Sequence, residues 1–163
     1  MGRITFVSIV SLVVIGLLLS RWWPSEERAI KRRLNELAEI VSLPETESEL
    51  GRVTRVARAR GYLADDLRLQ NGPQEASRDA ILAIVGRFTP PPGGILVEFV
   101  DAQVALAPDS TAADVYLTVK ITTRDRRTGE PTLDAREANV GMAKRNGDWV
   151  VTSAATAETL RHP

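Results

Sequence analysis

The sequence predicts an α+β fold: a transmembrane helix, followed by a domain of three helices packed on a curved, mainly antiparallel sheet. Three observations lead to this prediction. The chain begins with an uncharged apolar run, the apolar spacing then changes from about 3.6 to 2 residues, and Asn146-Gly147 marks a tight hairpin turn. The predicted boundaries are a membrane anchor over residues 1–24 and one domain over residues 25–163.

The apolar run from Ile4 to Leu19 contains no charged side chain and predicts a membrane-spanning helix. With the residues up to Trp23 it is about 30 Å long as a helix, which matches the hydrocarbon core of a bilayer. Trp22 and Trp23 suit the membrane–water interface, and Pro24 ends the helix. A cleaved signal peptide is the alternative, but no pair of small residues marks a cleavage site at the end of the run. We therefore expect residues 4–23 to contact the membrane.

The orientation of this anchor rests on two opposing arguments. Lys and Arg are more frequent after the run than before it, which favours a cytoplasmic domain. A single anchor so close to the N-terminus usually exports the domain attached to it, and the later basic residues are interleaved with glutamates. We expect a single-pass protein with an extracytoplasmic domain, and a cytoplasmic domain is the alternative.

Composition excludes several classes of function. The 21 basic side chains balance 21 acidic ones, so no global field attracts nucleic acid. The chain has no cysteine, which excludes disulfides, thiol catalysis and thiolate metal sites. His162, the only histidine, lies beyond the last predicted strand and is expected to be a solvated tail residue. An Asp/His dyad is therefore excluded, and no cofactor is expected.

The first half of the domain predicts three helices. Ser25 is a good N-cap for the first, with acidic residues in the first turn that suit the helix dipole, and Pro44 ends its apolar repeat. The second helix runs from residue 46 or 47 to Tyr62, and the third runs from Gln74 to Phe88. The side chains expected to face inward from these two helices are Leu50, Val53, Val56, Ala57, Leu63, Ala80, Ile81, Ile84, Val85 and Phe88.

The second half predicts an antiparallel meander, because its strands are joined by turns too short for crossover helices. The predicted strands are Ile95–Leu106, Asp114–Thr123, Asp134–Lys144 and Asp148–Leu160, with a further short strand possible at Asp66–Leu69. In the first of the four, Leu96, Val100, Val104 and Leu106 share one face, and Val97, Phe99 and Ala105 share the other. In the next two strands, the expected inward residues are Val115, Leu117, Val119, Ile121, Ala138, Val140 and Met142. Tyr116 is expected to face outward.

The second predicted helix also has a basic stripe. Arg52, Arg55 and Arg58 step by three along the face opposite Val53, and Arg60 comes next. One interpretation is a solvated face paired with nearby glutamates. The other is contact with lipid phosphates or an acidic partner, because planar guanidinium groups bind phosphate through two parallel hydrogen bonds.

The segment from Val140 to Val151 resembles the closing hairpin of the nuclear transport factor 2-like (SnoaL-like) superfamily. A strand there ends in a basic residue, turns through Gly147 and re-enters with Trp149. With the order of elements, the resemblance covers residues 25–160 and implies a cone whose helices and sheet enclose a pocket. Enzymes of this superfamily place an Asp/His pair or an Asp/Tyr set in that pocket, whereas other members dimerise through the sheet or carry ligands. A membrane-anchored member implies a protein of the bacterial envelope.

Few polar residues could serve catalysis in such a pocket. The pocket candidates are Tyr62, Phe99, Asp101 and Leu117. Glu98 and Asp101 lie on opposite faces of their strand unless a bulge intervenes, and Glu137 is expected to form a cross-strand ion pair. No pair combines the residue types and spacing that general acid–base chemistry requires, so we expect no catalytic residues.

These observations favour a non-catalytic, membrane-anchored binding or assembly module, a subunit of an envelope or membrane complex. Its expected partner is another protein or a second copy of the chain, bound through the sheet. One alternative is a carrier of a small apolar ligand or lipid in the cone. Another is an isomerase or dehydratase that uses Tyr62 with Asp101 or Glu137.

Overall fold

The structure is a computed structural model that describes residues 25–71, 74–125 and 127–156. The predicted anchor, His162 and the end of the last predicted strand lie outside these residues. None of the described helices is long and apolar enough to cross a membrane. The described part of the chain forms three helices and a six-stranded mixed sheet, so the α+β prediction is confirmed.

All three helices begin at a serine that accepts a hydrogen bond from the first turn. Helix α1 spans Glu26–Val41 after Ser25, as predicted. Helix α2 spans Glu49–Arg60 after Ser48, and helix α3 spans Arg78–Arg87 after Ser77. Each serine oxygen satisfies one of the backbone N–H groups that have no partner within the helix, which fixes where each helix starts.

The sheet has the strand order β2-β1-β6-β5-β4-β3. The strands are β1 Leu63–Asn71, β2 Gln74–Ser77, β3 Ile95–Leu106, β4 Ala112–Arg124, β5 Pro131–Arg145 and β6 Asp148–Thr156. Neighbouring strands are antiparallel except β1 and β6, which are parallel. The predicted meander is therefore confirmed over β3 to β6, and the short strand suggested at Asp66–Leu69 is part of a longer one.

The third helix starts four residues later than predicted. Its expected beginning, Gln74–Ser77, forms β2 and pairs with the end of β1. This four-residue segment contains no large apolar side chain that a helix could bury, so backbone pairing with β1 decides its conformation. Ser77 then caps α3.

The main core lies between α1 and the sheet. Its most buried members include Ile30, Leu34, Leu67, Val115, Leu117, Met142 and Trp149. The predicted inward faces of β4 and β5 are thus confirmed at Val115, Leu117, Ala138, Val140 and Met142. A second cluster of only Ile40, Ala59 and Leu82 joins α2 and α3 to the end of α1.

The predicted inward faces of α2 and α3 are confirmed only in part: Val56, Leu63 and Ile81 pack against the core clusters, but four large side chains do not. Leu50 and Val53 are 77% and 61% exposed, and Ile84 and Phe88 are 64% and 43% exposed. Helix α2 instead turns Arg55 and Ala59 inward, because Arg55 reaches a buried carboxylate that neutralises its charge. Leu50 and Val53 of the apolar stripe of α2 therefore stay in solvent, while Val56 packs against the second cluster.

A bulge at Asp101 divides β3. Asp101 has a φ of 54°, and the register with β4 shifts between Val100 and Gln103. Phe99 lies opposite Val119 before the bulge, and Val104 lies opposite Val115 after it, so both face the core. The prediction that Val104 and Phe99 face opposite ways is wrong, since one extra residue reverses the alternation.

Candidate functional site

Tyr62 lies between α2 and β1, and its side chain contacts Glu36 and Arg33 of α1. Its hydroxyl donates a hydrogen bond to Glu36 Oε2 at 3.1 Å, and the guanidinium of Arg33 lies 3.6 Å from its ring centroid. Burial, together with the bond to Glu36, raises the pKa of Tyr62 above its usual value of 10.0. Tyr62 is therefore a neutral phenol whose proton already has an acceptor.

Asp101 lines an open cleft between α1 and β3. The bulge places it in this cleft, which has a volume of about 500 Å³ and which Phe99 also lines. The other lining residues are Lys31, Leu34, Asn35, Ala102 and Gln103. Two predicted pocket residues therefore meet here. Tyr62 does not line this cleft, and Leu117 is packed inside the core at 4% exposure.

The remaining carboxylates considered from the sequence lie on the outer face of the sheet. Glu98 forms a cross-strand ion pair with Lys120 at 3.6 Å. Glu137 is exposed opposite Thr118, and its neighbour Arg136 pairs with Asp134 of the same strand at 3.1 Å. Since Tyr62 packs against the core side of the sheet, Tyr62 and Glu137 are on opposite sides. The sheet separates Tyr62 from Glu137, so these two side chains cannot act together on one substrate.

Glu26 has a role that is not evident from the sequence. Its two carboxylate oxygens accept hydrogen bonds from Lys144 Nζ at 2.7 Å and from Trp149 Nε1 at 2.8 Å. Lys144 and Trp149 are direct partners across the β5–β6 hairpin. The bond from Lys144, followed by that from Trp149, lowers the pKa of Glu26 below its usual value. The hairpin residues that suggested the fold family thus bind the start of α1.

Arg33 closes the same junction two helical turns further on. Its Nε donates to the Trp149 carbonyl at 3.0 Å, and its terminal nitrogen donates to the Gly61 carbonyl at 2.7 Å. One side chain therefore ties α1 both to β6 and to the end of α2. The side chains of Arg33 and Glu26 therefore both form structural contacts at this junction.

The predicted basic stripe of α2 is not a uniform solvated face. The Arg55 guanidinium donates two parallel hydrogen bonds to Glu47, at 2.7 and 2.9 Å, and both side chains are less than 10% exposed. These bonds lower the pKa of Glu47. Arg52 approaches the same carboxylate only at 3.9 Å. The expected pairing with a nearby glutamate is therefore confirmed for Arg55, but its expected solvation is wrong, because the pair is buried.

The outer sheet face is the side of the sheet on which none of the three described helices packs. It exposes Leu96, Tyr116 and Leu133 on the three neighbouring strands β3, β4 and β5, at 51%, 58% and 58%. Leu96 and Leu133 lie in one row, on either side of Thr122. The prediction that Tyr116 faces outward is confirmed. Tyr116 lies six residues along β4 from Thr122, so it marks one end of this face and the two leucines mark the other.

No protein-family model and no curated protein matches the chain. Solved structures do match its fold. The association domain of CaMKII from C. elegans has a TM-score of 0.65 and 12% identity, over 82% of this chain and 95% of that one. A nuclear transport factor 2-like protein with a cystatin-like fold from Novosphingobium aromaticivorans has a TM-score of 0.64 and 12% identity, over 94% and 91%.

A third match is a candidate scytalone dehydratase from the same bacterium, with a TM-score of 0.61 and 18% identity, over 85% of this chain and 89% of that one. Proteins named for association and for catalysis therefore share this architecture. Sequence identities this low establish only that the backbone folds are similar. The chain has the cystatin-like α+β fold of the nuclear transport factor 2-like proteins.

Proposed function

We propose that the chain is a non-catalytic, membrane-anchored assembly module that binds a second copy of itself through the outer sheet face. The observation on which this rests is the exposure of Leu96, Tyr116 and Leu133 on three adjacent strands. Burying such side chains stabilises an interface by roughly 25 cal/mol per Å² of apolar surface. An envelope protein partner on the same face is the alternative occupant.

Two solved structures support an assembly role. The matched C. elegans protein is an association domain, and a hub homology domain from Chlamydamonas reinhardtii matches over 82% of this chain with a TM-score of 0.64 and 13% identity. The first is named for association and the second for a hub. An assembly role for this chain is our proposal, since sequence identities this low show only that the folds are similar.

The polar groups of the described core favour binding over catalysis. The Tyr62 hydroxyl is bound to Glu36, and both oxygens of Glu26 are occupied by Lys144 and Trp149. Asp101 is exposed to solvent in an open cleft. General acid–base chemistry requires a positioned group with a proton to give or take, and these groups are already engaged or solvated.

The anchor determines where assembly takes place. The uncharged run over residues 4–19 and the tryptophans behind it are expected to hold the domain at a bilayer. Two tethered copies on one membrane have a high effective concentration, so a weak contact between their sheets is sufficient for pairing. The proposed unit is therefore a dimer at the membrane surface, with the folded domain outside the cytoplasm.

The test is the mass of the full chain in mild detergent, measured by light scattering over a concentration series. We expect a dimer for the natural protein, and at least a tenfold weaker association for Tyr116→Glu, because a carboxylate would be desolvated in the interface. Ile84→Glu is the matched control, since Ile84 is equally exposed but lies on the opposite side of the sheet. A natural protein that stays monomeric, and that cross-links to no partner in membranes, would refute the proposal.

A further inference from the structure

Strand β5 has one edge that is paired over only part of its length. On the other side, β5 pairs with β4 as far as Pro131. Strand β6 pairs with β5 only as far as Ala138, because β6 ends at Thr156. Residues 131–137 of β5, which we name the open edge, therefore have no strand beside them among the described residues. All of them are exposed.

The backbone of the open edge presents hydrogen-bonding groups to its surroundings. The Lys144 N–H donates to the Thr111 carbonyl, which lies on the β4 side of β5. Because backbone groups alternate between the two edges of a strand, even-numbered residues of β5 bond toward β4 and odd-numbered residues bond the other way. The N–H groups of Leu133, Ala135 and Glu137 therefore point away from β4. Such a row is a template on which another strand can pair.

The chain itself leads from β6 into the open edge. Thr156 lies opposite Ala138, the residue of β5 that adjoins the open edge. Since β6 runs antiparallel to β5, the next residues of the chain, 157–163, lie along the open edge if they continue in the same direction. We name these residues the tail. In the same register, each position of the open edge faces one tail residue, and a strand from another molecule would first have to displace the tail.

We propose that the tail continues β6 along β5 and closes the open edge from within the same chain. The register places Glu158 opposite Arg136 on the core side of the sheet, where Arg136 lies opposite Val119. Opposite charges on directly paired residues stabilise neighbouring strands. Arg136 is free to turn toward Glu158, because its side chain is 69% exposed and contacts only Asp134 of its own strand at 3.1 Å among the described ion pairs.

Closing the open edge removes a site of strand addition from the molecule. Exposed strand edges associate through backbone hydrogen bonds, with little regard for the side chains of the partner. With the tail in place, side chains of the outer sheet face are left to form contacts, and these are selective. This inference concerns a different surface from the proposed function and does not depend on the anchor or on the dimer.

The first test is hydrogen exchange of single backbone amides in the full chain in mild detergent, followed by NMR. A docked tail should slow exchange at Ala135 and Glu137 at least tenfold, by a rough estimate, relative to a variant in which the tail cannot pair. The amides of Asp134 and Arg136 are the internal control. They face β4, so their exchange should not depend on the tail.

Two proline variants identify the pairing. Thr159→Pro removes an N–H that the register directs at the Ala135 carbonyl, so exchange at Ala135 should become about tenfold faster. Leu160→Pro is the matched control, since the N–H of residue 160 points away from β5 and its loss removes no bond to the open edge. Glu158→Lys should accelerate exchange about threefold, and adding Arg136→Glu should restore the slow rate.

The absence of cysteine allows the occupant of the open edge to be identified. In the proposed register, Asp134→Cys with Leu160→Cys forms a non-hydrogen-bonded pair, whose short Cβ–Cβ distance suits a disulfide. Ala135→Cys with Leu160→Cys is the matched control, because its side chains point to opposite sides of the sheet although the closed ring is almost the same size. Equilibration with glutathione should give an effective concentration about tenfold higher for the first pair.

Three outcomes would overturn the inference. Exchange at Ala135 that is as fast in the natural protein as in Thr159→Pro would show that the open edge stays uncovered. Equal effects of the two prolines, or equal effective concentrations for the two cysteine pairs, would show that the tail does not pair with β5. Disulfide-linked dimers, with protection that increases with protein concentration, would show that a second copy closes the open edge. The effect of Tyr116→Glu on the measured mass tests the proposed function separately.

Discussion

Helix α1 and the pair formed by α2 and α3 start from similar sequences but make different use of their apolar residues. Each helix begins at a serine cap and has apolar residues at helical spacing. Helix α1 buries five residues, three of them in the main core against the sheet, whereas α2 and α3 together bury three, one of them Arg55. Polar contacts from Glu26 and Arg33 then fix α1 to the hairpin. We infer that α1 with the sheet stabilises the fold, and that α2 and α3 present a surface.

The strongest test of this contrast removes the same side chain from each region. Leu34 of α1 is 2% exposed and Leu50 of α2 is 77% exposed. We expect Leu34→Ala to lower the free energy of unfolding by about 3 kcal/mol through lost burial and a cavity, and Leu50→Ala to change it by less than about 0.5 kcal/mol. Urea unfolding of the full chain in mild detergent, followed by tryptophan fluorescence, measures both. Equal losses in the free energy of unfolding would show that Leu50 contributes to the core as much as Leu34.

The next test concerns the buried ion pair that holds α2. Arg55→Met leaves the Glu47 carboxylate without its partner, so we expect a loss of about 3 kcal/mol in the free energy of unfolding. Arg52→Met is the matched control, because Arg52 lies further from Glu47, at 3.9 Å, and its side chain is 37% exposed. The double change Arg55→Met with Glu47→Leu should recover most of the loss, since no charge then remains buried. A double variant as unstable as Arg55→Met would contradict this explanation.

The same contrast explains which parts of the fold can be predicted from the sequence. In β4 and β5 only one face is buried, so the alternation at Val115, Leu117 and Val140 can be read directly from the residues. The Asn146-Gly147 turn has positive φ at both positions, which its sequence favours. In helix α2, Val53 and Arg55 lie on different faces, and the apolar spacing favours burial of Val53. The ion pair between Arg55 and Glu47, which the local pattern does not show, buries the other face instead.

The candidate site was harder to predict than the fold. The alternation of β3 fails at Asp101, since no residue type there signals an extra position in the strand. Phe99 and Asp101 share a cleft. The Tyr62 side chain does not line it, because Glu36 and Arg33 of α1 bind it elsewhere. The role of Glu26 depends on Lys144 and Trp149, which are more than one hundred positions distant along the chain. Local patterns contain no information on such contacts.

The smallest expected effect is the pH dependence of the Glu26 junction. Hydrogen bonds from Lys144 and Trp149 lower the pKa of Glu26 from its usual value of 4.5. A carboxylate with a lowered folded-state pKa stabilises the fold fully above its unfolded pKa, and the contribution is lost as the pH falls through the folded pKa. Glu26→Gln should therefore cost about 1 kcal/mol near neutral pH, because Gln can still accept from the Trp149 indole but loses the charge opposite Lys144.

This difference between Glu26→Gln and the natural protein should shrink as the pH falls below 4.5, which urea unfolding at a series of pH values measures. Glu27→Gln is the matched control, since Glu27 pairs with Lys31 at 2.7 Å on the surface, where its side chain is 51% exposed. We expect almost no effect there, because exposed ion pairs contribute little. A Glu26→Gln effect that stays constant down to acidic pH would mean that packing at Trp149, and not the charge of Glu26, holds α1 to the hairpin.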